Sequence, residues 1–144
     1  MILLVTDHFS VFTDERDARH ELLNTRMEAA AEPIACSIVS VEEVLRGWLA
    51  IIHRLRDVHR QLPAYLRLWQ LFNVLSDWDI LLFEEHAADQ FASLRRQRIR
   101  IGTMDLKIAS IALVNGALLV TTNSRDFSLI PGLRHENWLR PGET

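Results

Sequence analysis

The stretch from Ile101 to Phe127 constrains the fold more than any other part of the chain. It reads as helix, tight stop, buried strand and polar turn. Thr103 is placed to cap the helix, with Asp105 in its first turn, where the positive end of the helix dipole favours a carboxylate. Ala109 and Ala112, set among branched apolar residues, make a helix slim enough to lie close against a sheet. Asn115-Gly116 stops it. Ala117 to Val120 is a short continuous apolar run, the pattern of a central parallel strand. Thr121, Thr122, Asn123, Ser124 and Asp126 then follow together. Open α/β sheets bind ligands beyond the C-terminal ends of their strands. Asp105, Asn123 and Asp126 are therefore expected to converge on one polar site.

The rest of the chain repeats this alternation. Ile2 to Val5 reads as a first strand, followed by Thr6-Asp7-His8, and Asp14 to Arg19 as a charged turn. Glu21 to Ala31 reads as a helix stopped before Pro33, and Ile34 to Val39 as a second strand. Ser40 is placed to cap the next helix with Glu43 three residues on, the spacing of a capping box, which leaves Glu43 with either a cap or a site role. That helix runs from Val41 through Trp48 to Leu55, and another from Ala64 to Leu75 with Tyr65, Leu68, Trp69 and Phe72 at helical spacing. The pair offers more apolar surface than a small domain readily covers, so a homodimer is expected. Ile80 to Phe83 reads as a third strand. Glu85 to Arg98 follows as a helix burying Ala88, Phe91 and Leu94, and Asn137 to Leu139 as a short edge strand. Strands alternating with helices pair in parallel through right-handed crossovers. The expected fold is an α/β three-layer sandwich, helices on both sides of a mainly parallel sheet of four to five strands.

Composition narrows the class. A chain of 144 residues suits one domain spanning 1–144, with no Pro/Gly/Ser-rich linker to divide it. The single cysteine, Cys36, has no partner for an internal disulfide, and no apolar run reaches the ~18 residues that span a bilayer. With no signal-peptide pattern at the start, a cytoplasmic protein is expected. The six histidines lack zinc-ligand spacing, and neither a phosphate-cradling glycine loop nor a Gly-x-Ser-x-Gly elbow is present. The net charge of −3 does not advertise a nucleic-acid binder, but a cation held by clustered acids would offset part of it.

The acids at element ends are Asp7, Glu42 or Glu43, Asp105 and Asp126. In a parallel sheet all of these positions fall on one edge. Two carboxylates ~4 Å apart repel by about 4 kcal/mol at an effective dielectric of 20. Mg²⁺ or Mn²⁺, which prefer hard oxygen ligands, would neutralise them and could activate water against a phosphate.

Four segments carry a resemblance. They are Leu3 to His8, Ser40 to Gly47, Gly102 to Ala112, and Val120 to Phe127 followed by Ile130-Pro131-Gly132-Leu133. In this order they resemble the PIN-domain nucleases, most closely the VapC-type toxins of bacterial toxin–antitoxin pairs. The resemblance implies Mg²⁺-dependent hydrolysis of RNA, a small cognate antitoxin and a homodimer. It assigns metal-binding and catalytic roles to Glu43, four residues before Gly47, and to Asp105 and Asp126, with Asn123 in the polar turn and Glu42 facing solvent. Thr121 and Thr6 are expected to steady the two turns. The family's first acid falls at Val5, leaving Asp7, two residues on, to substitute; metal affinity and cleavage are expected to suffer.

Arg95, Arg96, Arg98 and Arg100 could contact RNA phosphate, or form a solvated or antitoxin-facing surface, and Arg54, Arg56 and Arg60 share that ambiguity. Two other classes stand beside the nuclease reading. One is a PIN-fold binding module that has lost catalysis at Val5. The other, an aspartate-nucleophile phosphatase, needs a second Asp where Phe9 stands.

Overall fold

The computed structural model describes residues 1–142. Five parallel strands form one sheet: β1 (Ile2–Leu4), β2 (Ile34–Ser37), β3 (Asp79–Leu81), β4 (Leu118–Val120) and β5 (His135–Glu136), in the order β3-β2-β1-β4-β5. Between them run α1 (Thr6–Phe12), α2 (His20–Ala29), α3 (Ile38–Arg54), α4 (Val58–Leu75), α5 (Glu85–Arg96), α6 (Thr103–Asn115) and α7 (Ser124–Phe127).

The strand period of two divides the core. Leu3, Ala35 and Leu119 are in register and face one side, in a cluster with Leu94 of α5 and Ile108, Ala109 and Ala112 of α6. Their alternates face the other way: Ile2, Leu4 and Val120 join Val11 and Leu23, while Cys36 joins Phe9, Val41 and Leu71. Helices thus cover both faces, and the expected three-layer α/β sandwich is what forms. Burial pushes the Cys36 thiol up to about 11, so it is a core residue.

Several boundaries differ from the sequence expectation, each for a local reason. The cap of α3 is Ser37, whose hydroxyl accepts the Ser40 amide at 3.0 Å; Ser40 itself is buried inside the helix. Gly102, not Thr103, precedes the first residue of α6, while Gly116 closes that helix in the left-handed region at φ 61°. Asp57 caps α4, which starts at Val58, six residues ahead of Ala64, and Gln61 donates to the carbonyls of Ile52 and Leu55 that end α3. Ala87 rather than Ala88 is buried on α5 beside Leu94, with Phe91 half-buried. The edge strand is His135–Glu136, two residues before the Asn137 expected to open it, because those residues pair with Leu119 and Val120.

Candidate active site at the strand-switch edge

All five strands are parallel, so their C-terminal ends share one edge. The chain leaves β1 toward β2 on one side, and β4 lies on the other. The crevice at such a reversal is where doubly wound sheets place ligands. Four of the helices start around it with an acid in their first two turns: Asp7 on α1, Glu43 on α3, Asp105 on α6 and Asp126 on α7.

Glu43 is freed for the site because Ser37 takes the cap of α3. Thr6 Oγ1 donates to Glu43 Oε1 at 2.7 Å, tying the start of α1 to α3. Glu42 instead faces outward and pairs with Arg46 at 2.9 Å, as the helical phase requires. Across the crevice, Asn123 caps α7. Its Nδ2 donates to Asp126 Oδ2 at 3.0 Å and to Asp105 Oδ2 at 3.4 Å, while its Oδ1 accepts the Asp126 amide. Thr121 is fully buried, and its hydroxyl accepts the Asn123 amide at 3.0 Å.

The charges are close enough to act on one another. Burial pushes the Asp105 carboxyl up, and the Glu43 charge pushes it further; the Asn123 hydrogen bond offsets this only in part, and Asp126 and Asp7 add to the rise. A carboxyl raised by its neighbours marks a local excess of negative charge, which a cation would relieve. The donors are hard carboxylate oxygens, the kind Mg²⁺ and Mn²⁺ take. Among the described residues no three His, Cys, Asp or Glu side chains lie in an ion-holding arrangement. Mg²⁺ commonly keeps several waters and binds through one or two carboxylates, so the donor set still fits it in kind.

Asp7 behaves differently. Its Oδ1 accepts from the His8 backbone amide at 2.6 Å and from His8 Nδ1 at 2.7 Å. Its Oδ2 accepts from the Thr122 amide at 2.9 Å, the Thr122 hydroxyl at 2.7 Å and Thr121 Oγ1 at 3.4 Å. Burial pushes this carboxyl up, but the bonds from His8 and Thr122 outweigh it and hold it below the usual carboxylate value. Its oxygens are engaged in clamping α1 to the turn that carries Asn123.

Val5 occupies the cap of α1 with extended backbone, φ −78° and ψ 166°, and makes no side-chain cap bond. It is 4% exposed and belongs to the core cluster of Leu3 and Leu106. Its side chain contributes neither a charge to the cluster nor an acceptor to the helix start, where its backbone carbonyl accepts the Phe9 amide at 2.9 Å.

Thr122 and His8 both lie beside the site in sequence, but each has a partner in this network far along the chain. Thr122 supplies two of the bonds to Asp7, and nothing local marks it. His8 is fully buried; its Nε2 accepts the Trp138 amide at 3.1 Å, which leaves Nδ1–H to donate to Asp7. A histidine in a first helical turn gives no hint of a partner 130 residues away. Arg95, Arg96, Arg98 and Arg100 are all exposed, and Arg95 donates to Thr103 Oγ1 at 3.4 Å, two residues before Asp105.

Residues 2–133 match the model of the PIN domain. The chain belongs to the PIN domain family. A relative from Shigella flexneri, a tRNA(fMet)-specific endonuclease VapC, is 40% identical over 53 residues, covering 37% of this chain and 40% of its own. Ribonuclease VapC2 of Rickettsia felis is 38% identical over 68 residues, 44% of this chain and 51% of its own. The matched stretches thus span about half or less of each relative's length. Among solved structures, VapBC2 from Rickettsia felis, bound to a DNA fragment from its promoter, superposes with a TM-score of 0.71 at 27% identity. That alignment covers 96% of this chain and 99% of the other. The PIN fold therefore extends over nearly the whole chain. No helix among the described residues is long and apolar enough to cross a membrane.

Proposed function

We propose that this chain is a metal-dependent endoribonuclease, the toxin of a VapBC-type toxin–antitoxin pair, acting in the cytoplasm. The observation that carries the proposal is the convergence of Glu43, Asp105 and Asp126 at the strand-switch crevice of a PIN fold, with Asn123 bridging Asp105 and Asp126 and the Glu43 charge raising Asp105. The relatives named as a VapC endonuclease and a VapC2 ribonuclease support it.

Of Glu43, Asp105 and Asp126, one or two would hold Mg²⁺ or Mn²⁺ directly and the rest through its waters, and the ion would supply an activated water and offset charge growing on the phosphate. Thr6 aims Glu43 into the crevice, and Asn123 keeps the Asp105 and Asp126 carboxylates side by side. Asp7 braces this arrangement from its margin instead of ligating, since its oxygens already accept five hydrogen bonds. Arg95, Arg96, Arg98 and Arg100 lie on the side where α6 begins and would meet the RNA backbone.

A small antitoxin and a second copy of the chain are the proposed protein partners. Leu62, Tyr65, Leu66, Trp69 and Phe72 form a stripe along α4, each 52–63% exposed, a face that an isolated chain leaves to water. A second reading, a PIN-fold module that binds RNA or antitoxin without cutting, is favoured by one observation: the buried Val5 at the mouth of β1. Purified chain incubated with labelled RNA in Mn²⁺ and in EDTA tests the proposal, with Asp105→Asn as the control. Cleavage that needs Mn²⁺ and Asp105 supports the enzyme. RNA retention without cleavage supports the binding module, and neither would sink both.

A further inference from the structure

A trough leads away from the acid cluster along α3 and α4. A cavity of about 260 Å³ is lined by Thr6, Glu43, Gly47 and Trp48. The next, of about 300 Å³, shares Trp48 and adds Asp7, Arg16, Arg19 and Arg67. A third, of about 460 Å³, continues from Arg67 past Gln70 and Asn73. Trp48 and Arg67 are thus the shared walls of one continuous path that begins at Glu43. Its first part is open beside Gly47, where a Cβ would meet nothing within 4 Å.

We infer that Trp48 and Arg67 form a base-stacking subsite for single-stranded RNA beside the acid cluster. The Arg67 guanidinium lies over the Trp48 indole, 5.4 Å from its ring centre. Two flat π-systems so joined make a platform of the kind on which unpaired bases stack, and the cation adds attraction for phosphate. The charge along the path is mixed: five carboxylates, Asp7, Asp14, Glu15, Asp17 and Glu43, stand with three arginines, Arg16, Arg19 and Arg67. Arg16 and Arg19 are taken up by Asp14 and Asp17 at 3.1 and 2.9 Å, and Asp7 is held by His8 and Thr122. Arg67 keeps only a distant carboxylate, Asp14, at 4.0 Å. The cation nearest the indole is therefore the one least committed elsewhere along this wall. A duplex keeps its bases stacked on one another, whereas a single strand can lay one on this platform and carry its backbone on to Glu43.

This subsite rests on the ribonuclease reading, and the test separates the two. Binding of a fluorescent mixed-sequence RNA of about twelve nucleotides, within the range a stacking groove holds, is measured in Ca²⁺ for the parent chain and its variants. Trp48→Ala should weaken binding by about tenfold or more, the scale of losing one stacked base. Trp48→Phe, which keeps an aromatic face, should stay within about threefold, and its circular dichroism should match the parent. Trp48→Ala binding as well as the parent would overturn the subsite and leave the ribonuclease reading standing. Trp48→Phe as weak as Trp48→Ala would assign the loss to packing and overturn stacking. If Trp48→Ala holds RNA but loses a partner protein, the trough is a protein-binding surface and the inference fails. A parent chain that binds no RNA at all would end the ribonuclease reading and the subsite together.

Discussion

Replacing Val5 by Asp places a carboxylate at the mouth of β1 and tests the proposed site most directly. Val5 is 4% exposed, and removing its buried side chain costs about 1.5 kcal/mol. The new carboxylate joins a cluster that already raises Asp105, and an ill-compensated polar group at such a place costs about 1–3 kcal/mol. One term runs the other way. Residue 5 is the cap of α1 in extended geometry, where Asp can accept a first-turn amide and recover about 1 kcal/mol. The net is a loss of about 2–3 kcal/mol without metal, a fall in Tm of roughly 8 °C for a chain of this size. Mn²⁺ at a hundred times its Kd would return about 2.7 kcal/mol. Val5→Asp should therefore melt well below the parent in EDTA and close to it in saturating Mn²⁺, while the parent responds little. Scanning calorimetry with and without Mn²⁺ reads this, and isothermal titration gives the affinity. If Val5→Asp binds Mn²⁺ no better than the parent, residue 5 does not face the ion and the reasoning fails.

Asp105→Asn removes a carboxyl whose ionised form is penalised at neutral pH, since its folded pKa lies above the usual value. Its Tm in EDTA at pH 7 should rise, while Mn²⁺ affinity by titration falls at least about tenfold. Asp7 is shifted the opposite way: the stability it supplies is complete above its ordinary value of 3.8 and fades as pH falls through the lowered folded value. Asp7→Asn should accordingly cost about 1–2 kcal/mol in urea unfolding at pH 7, less at pH 3, and leave Mn²⁺ affinity within about threefold. Equal costs at both pH values would remove the clamp. Trp69 is 63% exposed on α4. Trp69→Glu should change the stability of the single chain by less than about 0.5 kcal/mol yet yield a monomer in light scattering, against the dimer proposed for the parent.

The sequence by itself determined the alternation of strands and helices, the three layers and the stop at Gly116, because each rests on short-range periodicity and turn chemistry. The period of two in Ile2 to Leu4 already separates the two cores, and acids that follow strands in a parallel sheet must share an edge. It also placed Glu43, Asp105, Asn123 and Asp126 near one another. Which of those groups touch depends on pairings far apart in the chain. Ser37 and Ser40 are equally good caps by residue type; pairing of β2 through Ser37 ended the strand there and released Glu43 to Thr6. Asp7 looked free to replace the acid absent at Val5. The pairing of β1 with β4 brings Thr122, 115 residues away, against it, and the pairing of β4 with β5 brings the Trp138 amide to His8. Hydrogen bonds of that span form only after the strands are in register, so neither periodicity nor spacing within one segment can reveal them.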